Sequence, residues 1–230
     1  VGASWTFRHA LRRHRVGQRK GCDGGHPGAV RRPHLDLVGE ANLSSDVIRA
    51  IKRYRTKSGT VKLKKTLVIK QPNVTIDGLN AAVTITGAPV TIESMHDVVI
   101  RFMCFRKSPD DNLRIARACR RIVIDHCSST SAGDGVLDIT IDYDKPKQRP
   151  TDIMVSWCIF AGTKKAMLIS NAVNISLHHN LFLDNDMRNP QLHDARNFDF
   201  RNNVIHRWGI YGLRARAEST GNVMYNFLGP

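Results

Sequence analysis

Residues 122–138 read IVIDHCSSTSAGDGVLD, and the fold is decided by what their first six positions repeat. Ile122, Val123 and Ile124 form a short apolar strand, and Asp125-His126 turn polar before Cys127. Upstream the same unit stands as VTIDGL (74–79) and VVIRFM (98–103). Downstream it returns as IMVSWC (153–158), ISLHHN (175–180), FDFRNN (198–203) and STGNVMYN (219–226). The copies end at Leu79, Met103, Cys127, Cys158, Asn180, Asn203 and Asn226, at steps of 24, 24, 31, 22, 23 and 23. Only the fourth coil breaks the period, and it carries the polar insertion DYDKPKQRP (142–150).

Short β-rich segments repeating every 22–24 residues, with Gly, Asn and Pro between them, are the mark of a solenoid. Leucine-rich repeats have a similar period, but their LxxLxL pattern and helices are missing. The expectation is all-β: a right-handed, single-stranded parallel β-helix over 44–230, one coil per rung, rungs about 4.8 Å apart. Equivalent side chains then stack. Asn180, Asn203 and Asn226 would form a ladder of buried amides that satisfy one another. Cys127 and Cys158 fall one rung apart, within disulfide reach. Two free thiols packing as small hydrophobes is the favoured reading.

Outside the repeat, Val47, Ile48, Ile51 and Tyr54 fall on one helical face behind Ser44 and Ser45, and Gly59 stops the pattern. This short helix is expected to cap the solenoid. Residues 1–43 read as an irregular basic segment; the first 35 carry eight Arg or Lys against one Asp. The chain begins at Val1 and ends at Pro230 directly after a rung. The expectation is a truncated monomer, or an end rung covered by another subunit.

The formal charge of +15 over 230 residues favours a polyanionic partner. Nucleic acid is not expected, because basic and aromatic residues are not interleaved. No membrane span is expected either, since no apolar run is long enough. Five cysteines without CxxC spacing exclude a zinc ribbon or a dense disulfide framework. Residues 1–30 lack the apolar core of a signal peptide.

The chemistry gathers after the quoted strand. Asp134 and Asp138 flank Gly135, and Asp110 and Asp111 precede the same rung in SPDDNLRI. Stacking by one coil sets Asp111 beside Asp134. Carboxylates so placed repel one another and raise each other's pKa, which a hard divalent cation such as Ca²⁺ relieves. Lys165 lies seven residues past Cys158, Arg188 eight past Asn180, and His193 five further. Acids and cations along one face make a groove for an oligomeric anion. Hydrolysis by paired acids would need carboxyls on both sides of one bond. Asp125-His126 reads as a turn pair. His178 and His179 are expected on opposite faces. Trp157, Trp208 and Tyr211 are expected to pack rather than to carry sugar.

At this point the sequence resembles the polysaccharide lyase family 1 pectate lyases over roughly residues 66–230. The likeness rests on PNVTIDG (72–78), DNLRI (111–115), VIDHCS (123–128), DGVLDI (134–139), VSWCIF (155–160) followed by KK, LHHNLF (177–182), RNP (188–190) and RNNVIHRWG (201–209). The resemblance implies a secreted, calcium-dependent lyase that cleaves polygalacturonate by β-elimination. It implies calcium ligands at Asp134, Asp138 and Asp111, with Asp110 as a fourth. It implies Lys165 as a substrate-binding lysine and Arg188 as the catalytic arginine. Many members carry a second arginine where this chain has His193, so part of the substrate-carboxylate clamp departs from the pattern. The alternative is a catalytically impaired β-helix that binds acidic polysaccharide.

Overall fold

The computed structural model describes residues 36–38, 59–79, 81–141 and 148–229. The expected helix at 44–54, residues 142–147 of the insertion and most of the basic segment lie outside them. Among the described residues the chain is strand and turn, and no helix is long and apolar enough to cross a membrane. Within the stretch read as irregular, Asp36–Val38 runs antiparallel to Val74–Asp77.

Each coil contributes one strand to each of three parallel sheets. In the first, Val74–Asp77, His96–Arg101, Arg120–Asp125, Thr151–Ser156, Val173–His178, Arg196–Arg201 and Gly221–Met224 stack in chain order. Val74, Val98, Ile122, Ile153, Ile175, Phe198 and Gly221 share one register, as the aligned repeat requires. The second sheet runs from Gly59–Lys62 to Phe227–Gly229, the third from Leu67–Ile69 to Arg214–Arg216. The fold is thus a parallel β-helix.

Alternation puts every second side chain inside. Ile76, Ile100, Ile124, Val155, Leu177 and Phe200 form one buried column. Phe160 and Phe182 stack in another, with ring centroids 5.2 Å apart. Each such side chain contributes roughly 1.5–3 kcal/mol by leaving water. In the last rung the same columns hold Val223 and Leu228, which are exposed.

The corners are built from left-handed residues. Described non-glycine residues with positive φ fall into four register columns, with one exception taken up below. One column opens the first sheet, at the residue before the strand for Asn73 and at the second residue of the strand for Asp97, Arg121, Asp152, Asn174 and Asn197. A second follows it: Phe102, His126, Trp157, His179, Asn202 and Tyr225. A third follows the second sheet (Lys107, Ser131, Asp184, Arg207) and a fourth the third sheet (Ser94, Arg117, Asn171, Asp194, Ala217). A single left-handed residue turns an extended chain sharply without a helix, at a cost of about 1–2 kcal/mol that the neighbouring rungs offset.

The second column explains the ladders. The residue after each left-handed corner points inward. Asn180, Asn203 and Asn226 are there, with Asn180 Nδ2 donating to Asn203 Oδ1 at 3.0 Å and Asn203 Nδ2 to Asn226 Oδ1 at 3.1 Å. Each Oδ1 also accepts the main-chain N–H one rung back, at 2.9–3.0 Å. Cys127 and Cys158 occupy the earlier rungs as buried free thiols, and the Cys127 N–H points at Cys158 Sγ at 3.4 Å.

The outer side of that corner corrects one expectation. His178 and His179 lie together, their Nδ1 atoms 3.0 Å apart. The strand ends at His178, and the left-handed φ of 58° at His179 cancels the alternation. Trp157 is exposed but lies between His126 and His179, at centroid distances of 6.0 and 4.5 Å, so its ring faces are covered by imidazoles. Trp208 packs against the core. His126 pairs with Asp125 at 2.7 Å, as a turn pair should.

Candidate functional site

The site lies where the chain passes from the second sheet into the third. Asp111 stands two residues before the strand Leu113–Ala116, and Asp138 opens the next strand, Asp138–Thr140. Stacking brings the expected acids together. Ligand oxygens of Asp110, Asp111 and Asp134 lie within 4.8 Å of one another. Asp111 Oδ1 accepts the Gly135 N–H at 2.9 Å. Gly135 is wedged between two acids: a Cβ there would collide with Asp138 Oδ1 and lie 2.9 Å from Asp111 Oδ1. The DG pair is therefore a packing requirement of the acid cluster.

Asp138 is buried, and its Oδ1 accepts the Leu168 N–H at 2.8 Å. Burial, with the Asp111 charge next in weight, pushes the Asp138 carboxyl up to about 8, against the opposing charge of Arg188. Burial also pushes Asp111 up to about 6; the Gly135 N–H opposes this, and Asp110 and Asp134 add to it. Oxygen donors carrying excess negative charge suit a hard divalent cation. Asp110, Asp111, Asp134 and Asp138 are the residues that could hold one.

The cations come from the next two rungs. Lys165 pairs with Gly135 on one side and Met187 on the other as isolated parallel bridges. Its Nζ lies 2.6 Å from Asp134 Oδ1. Arg188 follows Met187 with a φ of 63°. It is the exception to the four corner columns. Among the described residues its guanidinium makes no hydrogen bond or ion pair, although it feels the Asp138 charge. Asn189–Pro190 is a cis peptide.

His193 is exposed at the end of Gln191–His193, in register with Ser170 and Arg216. Asp138 shares its register with Leu168 and Gln191, so His193 sits two residues farther along the sheet. No hydrogen bond or ion pair joins it to the acids, Lys165 or Arg188.

Several polar residues here escape a motif reading. Arg114 is in register with Asp138 and donates from Nε to Thr140 Oγ1 at 3.2 Å; its place in a strand after the acids was the available signal. Tyr211 donates its hydroxyl to Gln191 Oε1 at 2.5 Å and lies under Arg214, 5.2 Å from ring centroid to Cζ. Asn112, Asn185 and Asn189 are buried beneath the acids and cations. Asn112 stands inside DNLRI and Asn189 inside RNP, but Asn185 stands in no quoted motif.

Fold and site define a parallel β-helix with an acid cluster and a cationic flank on one face. No protein-family model matches the chain. The chain is 27% identical over 183 residues to a probable pectate lyase C of Neosartorya fischeri, covering 74% of this chain and 41% of that protein. It is 28% identical over 170 residues to a pectate trisaccharide-lyase of Thermotoga sp., covering 65% and 42%. It is 24% identical over 189 residues to pectate lyase 2 of Ambrosia artemisiifolia, covering 70% and 45%. The chain therefore spans less than half the length of these relatives. Likeness to several pectate lyases, together with the β-solenoid, supports a pectate lyase-like family.

Proposed function

We propose that this chain carries the catalytic face of a secreted pectate lyase that cleaves α-1,4-linked polygalacturonate by calcium-dependent β-elimination. The observation that carries the reading is the meeting of Asp110, Asp111 and Asp134 with Lys165, two rungs from an arginine outside the regular corners. The partner is an acidic polysaccharide and the acting unit a monomer.

The reaction removes the C5 proton of a galacturonate, α to its carboxylate, and expels the C4 oxygen. Asp111, Asp134 and Asp138, with Asp110, would hold Ca²⁺. Bound there, the ion supplies positive charge against the substrate carboxylate and the enolate-like charge that develops beside it. Lys165 binds a substrate carboxylate from the cationic side and orients the ring. Arg188 takes the C5 proton at its guanidine nitrogen. An arginine gives up its own proton only near pH 12 or above. Turnover by such a base is expected to rise with pH. His193 is placed farther along the groove. Its imidazole offers hydrogen bonds to the substrate there.

Incubation with polygalacturonate and Ca²⁺ at alkaline pH, with and without EDTA, tests this. The expected result is a calcium-dependent rise in the ultraviolet absorbance of 4,5-unsaturated oligogalacturonates. Reducing ends without that absorbance would indicate hydrolysis. Binding without either product would assign the chain as a non-cleaving binder of acidic polysaccharide.

A further inference from the structure

Arg188 raises a mechanical question. Elsewhere a left-handed residue repeats at the same register in neighbouring rungs, and the stack holds it. Arg188 has no such neighbours, and a left-handed arginine is strained unless its surroundings over-determine it. Its guanidinium is not tied down, so its placement comes from the main chain.

The main chain is held by two amides, each 1% exposed. Asn185 Oδ1 accepts the N–H of Thr163, two residues before Lys165, at 3.2 Å. Asn185 Nδ2 donates to Phe160 O and to Asn189 Oδ1, both at 2.9 Å. Asn189 donates its main-chain N–H to Gly212 O at 3.0 Å and its Nδ2 to Tyr211 O at 3.3 Å. Arg188 O accepts the Met167 N–H at 2.8 Å, and the Met187 N–H donates to Lys164 O at 3.1 Å. The residue on each side of Arg188 is thus fastened, one to the rung before and one to the rung after. The same pair reaches the turn that carries Lys165.

We infer that Asn185 and Asn189 are positioning residues that fix Arg188 relative to Lys165. They act through the main chain and do not touch substrate. The inference rests on the lyase reading of Arg188. It goes beyond that reading in assigning the geometry of the cationic flank to a buried amide pair. In chemistry this geometry-dependent, a displacement of about 1 Å costs on the order of 100-fold in rate.

The test compares Asn189→Ala and Asn185→Ala with Asn203→Ala, an equally buried ladder amide at another corner. Each folded variant is assayed on polygalacturonate with Ca²⁺, well below its melting temperature. The expected result for the Asn189 and Asn185 variants is a fall in kcat of about 100-fold, with KM within about twofold of wild type. Asn203→Ala is expected to lower the melting temperature and leave kcat within about twofold. In an Arg188→Lys background, Asn189→Ala is expected to add less than about threefold, since interacting residues are not additive. Normal kcat in Asn189→Ala, equal losses in the Asn189 and Asn203 variants, or full additivity with Arg188→Lys would overturn the inference. If Asn189→Ala does not fold, Asn189→Ser is judged by the same criteria. A wild-type chain that yields no unsaturated product overturns the lyase reading and the positioning role together. An active wild type with an unaffected Asn189→Ala overturns the positioning role alone.

Discussion

Two corners of this solenoid use inward-pointing asparagines in different ways. Between the first and second sheets, Asn180, Asn203 and Asn226 repeat one bonding pattern in three successive rungs. Between the second and third sheets, Asn112, Asn185 and Asn189 are also buried; Asn112 and Asn189 each accept at Oδ1 from the residue four back, and Asn185 keeps the ladder's two bonds to the rung before while its other amide hydrogen goes to Asn189 in its own rung. Asn112 bonds to Ser129 beneath the acids, at 3.0 Å. Asn185 and Asn189 join the lysine turn to the arginine turn. Where a rung copies its neighbour, an amide contributes stability. Where it also bonds within its own rung, as Asn185 does to Asn189, the same group can hold a particular geometry.

The sharpest way to break this contrast is at its chemical end. Arg188→Lys is expected to lower kcat about a thousandfold while polygalacturonate binding persists. Near-normal turnover would remove Arg188 from the base role. At the regular corner, Asn203→Ala strands partners in both adjacent rungs and is expected to cost about 3 kcal/mol, read by denaturant unfolding. A loss of activity without loss of stability there would reverse the contrast.

A third experiment uses the acids. Folded Asp138 titrates near 8, against an ordinary value of 3.8. Between these values the folded state keeps a proton that the unfolded state has released, so stability falls as pH rises from about 4 to about 8. Calcium-free protein is expected to lose about 2 kcal/mol over that range once water entry and relaxation are allowed for. Asp138→Asn should flatten the slope, and an unchanged slope in that variant would acquit the residue. The smallest effect belongs to the outer corner, where the hydrogen bonds from Arg121 lower Asp97 to about 2. That contribution is complete above about pH 4 and fades as pH falls toward 2. Being largely exposed, it amounts to less than about 1 kcal/mol; Arg121→Gln should remove it from the acid limb of the stability curve.

The regular corner was legible in the sequence because a repeat states its own register. Aligning VTIDGL with its copies predicts the pairing of Val74 with Val98 and of Ile122 with Ile153 across a 31-residue coil. The acid cluster was legible for the same reason, since Asp111 and Asp134 stand one coil apart. His178 and His179 were not, because strand alternation fails at a left-handed residue and nothing local marks that residue. Asn185 was not, because its bond to Asn189 lies within one rung, where no repeat marks it, even though its bonds to Thr163 and Phe160 keep the 22- and 25-residue spacing of Asn180.

The fourth coil carries a further consequence. It is seven to nine residues longer than the others, yet Ile153 resumes the register of Ile122. The stack keeps count of strands and is indifferent to the length of what joins them. The join between Ile141 and Gln148 therefore tolerates a change of length without loss of register. A foreign segment joined there would meet strands already in register on both sides.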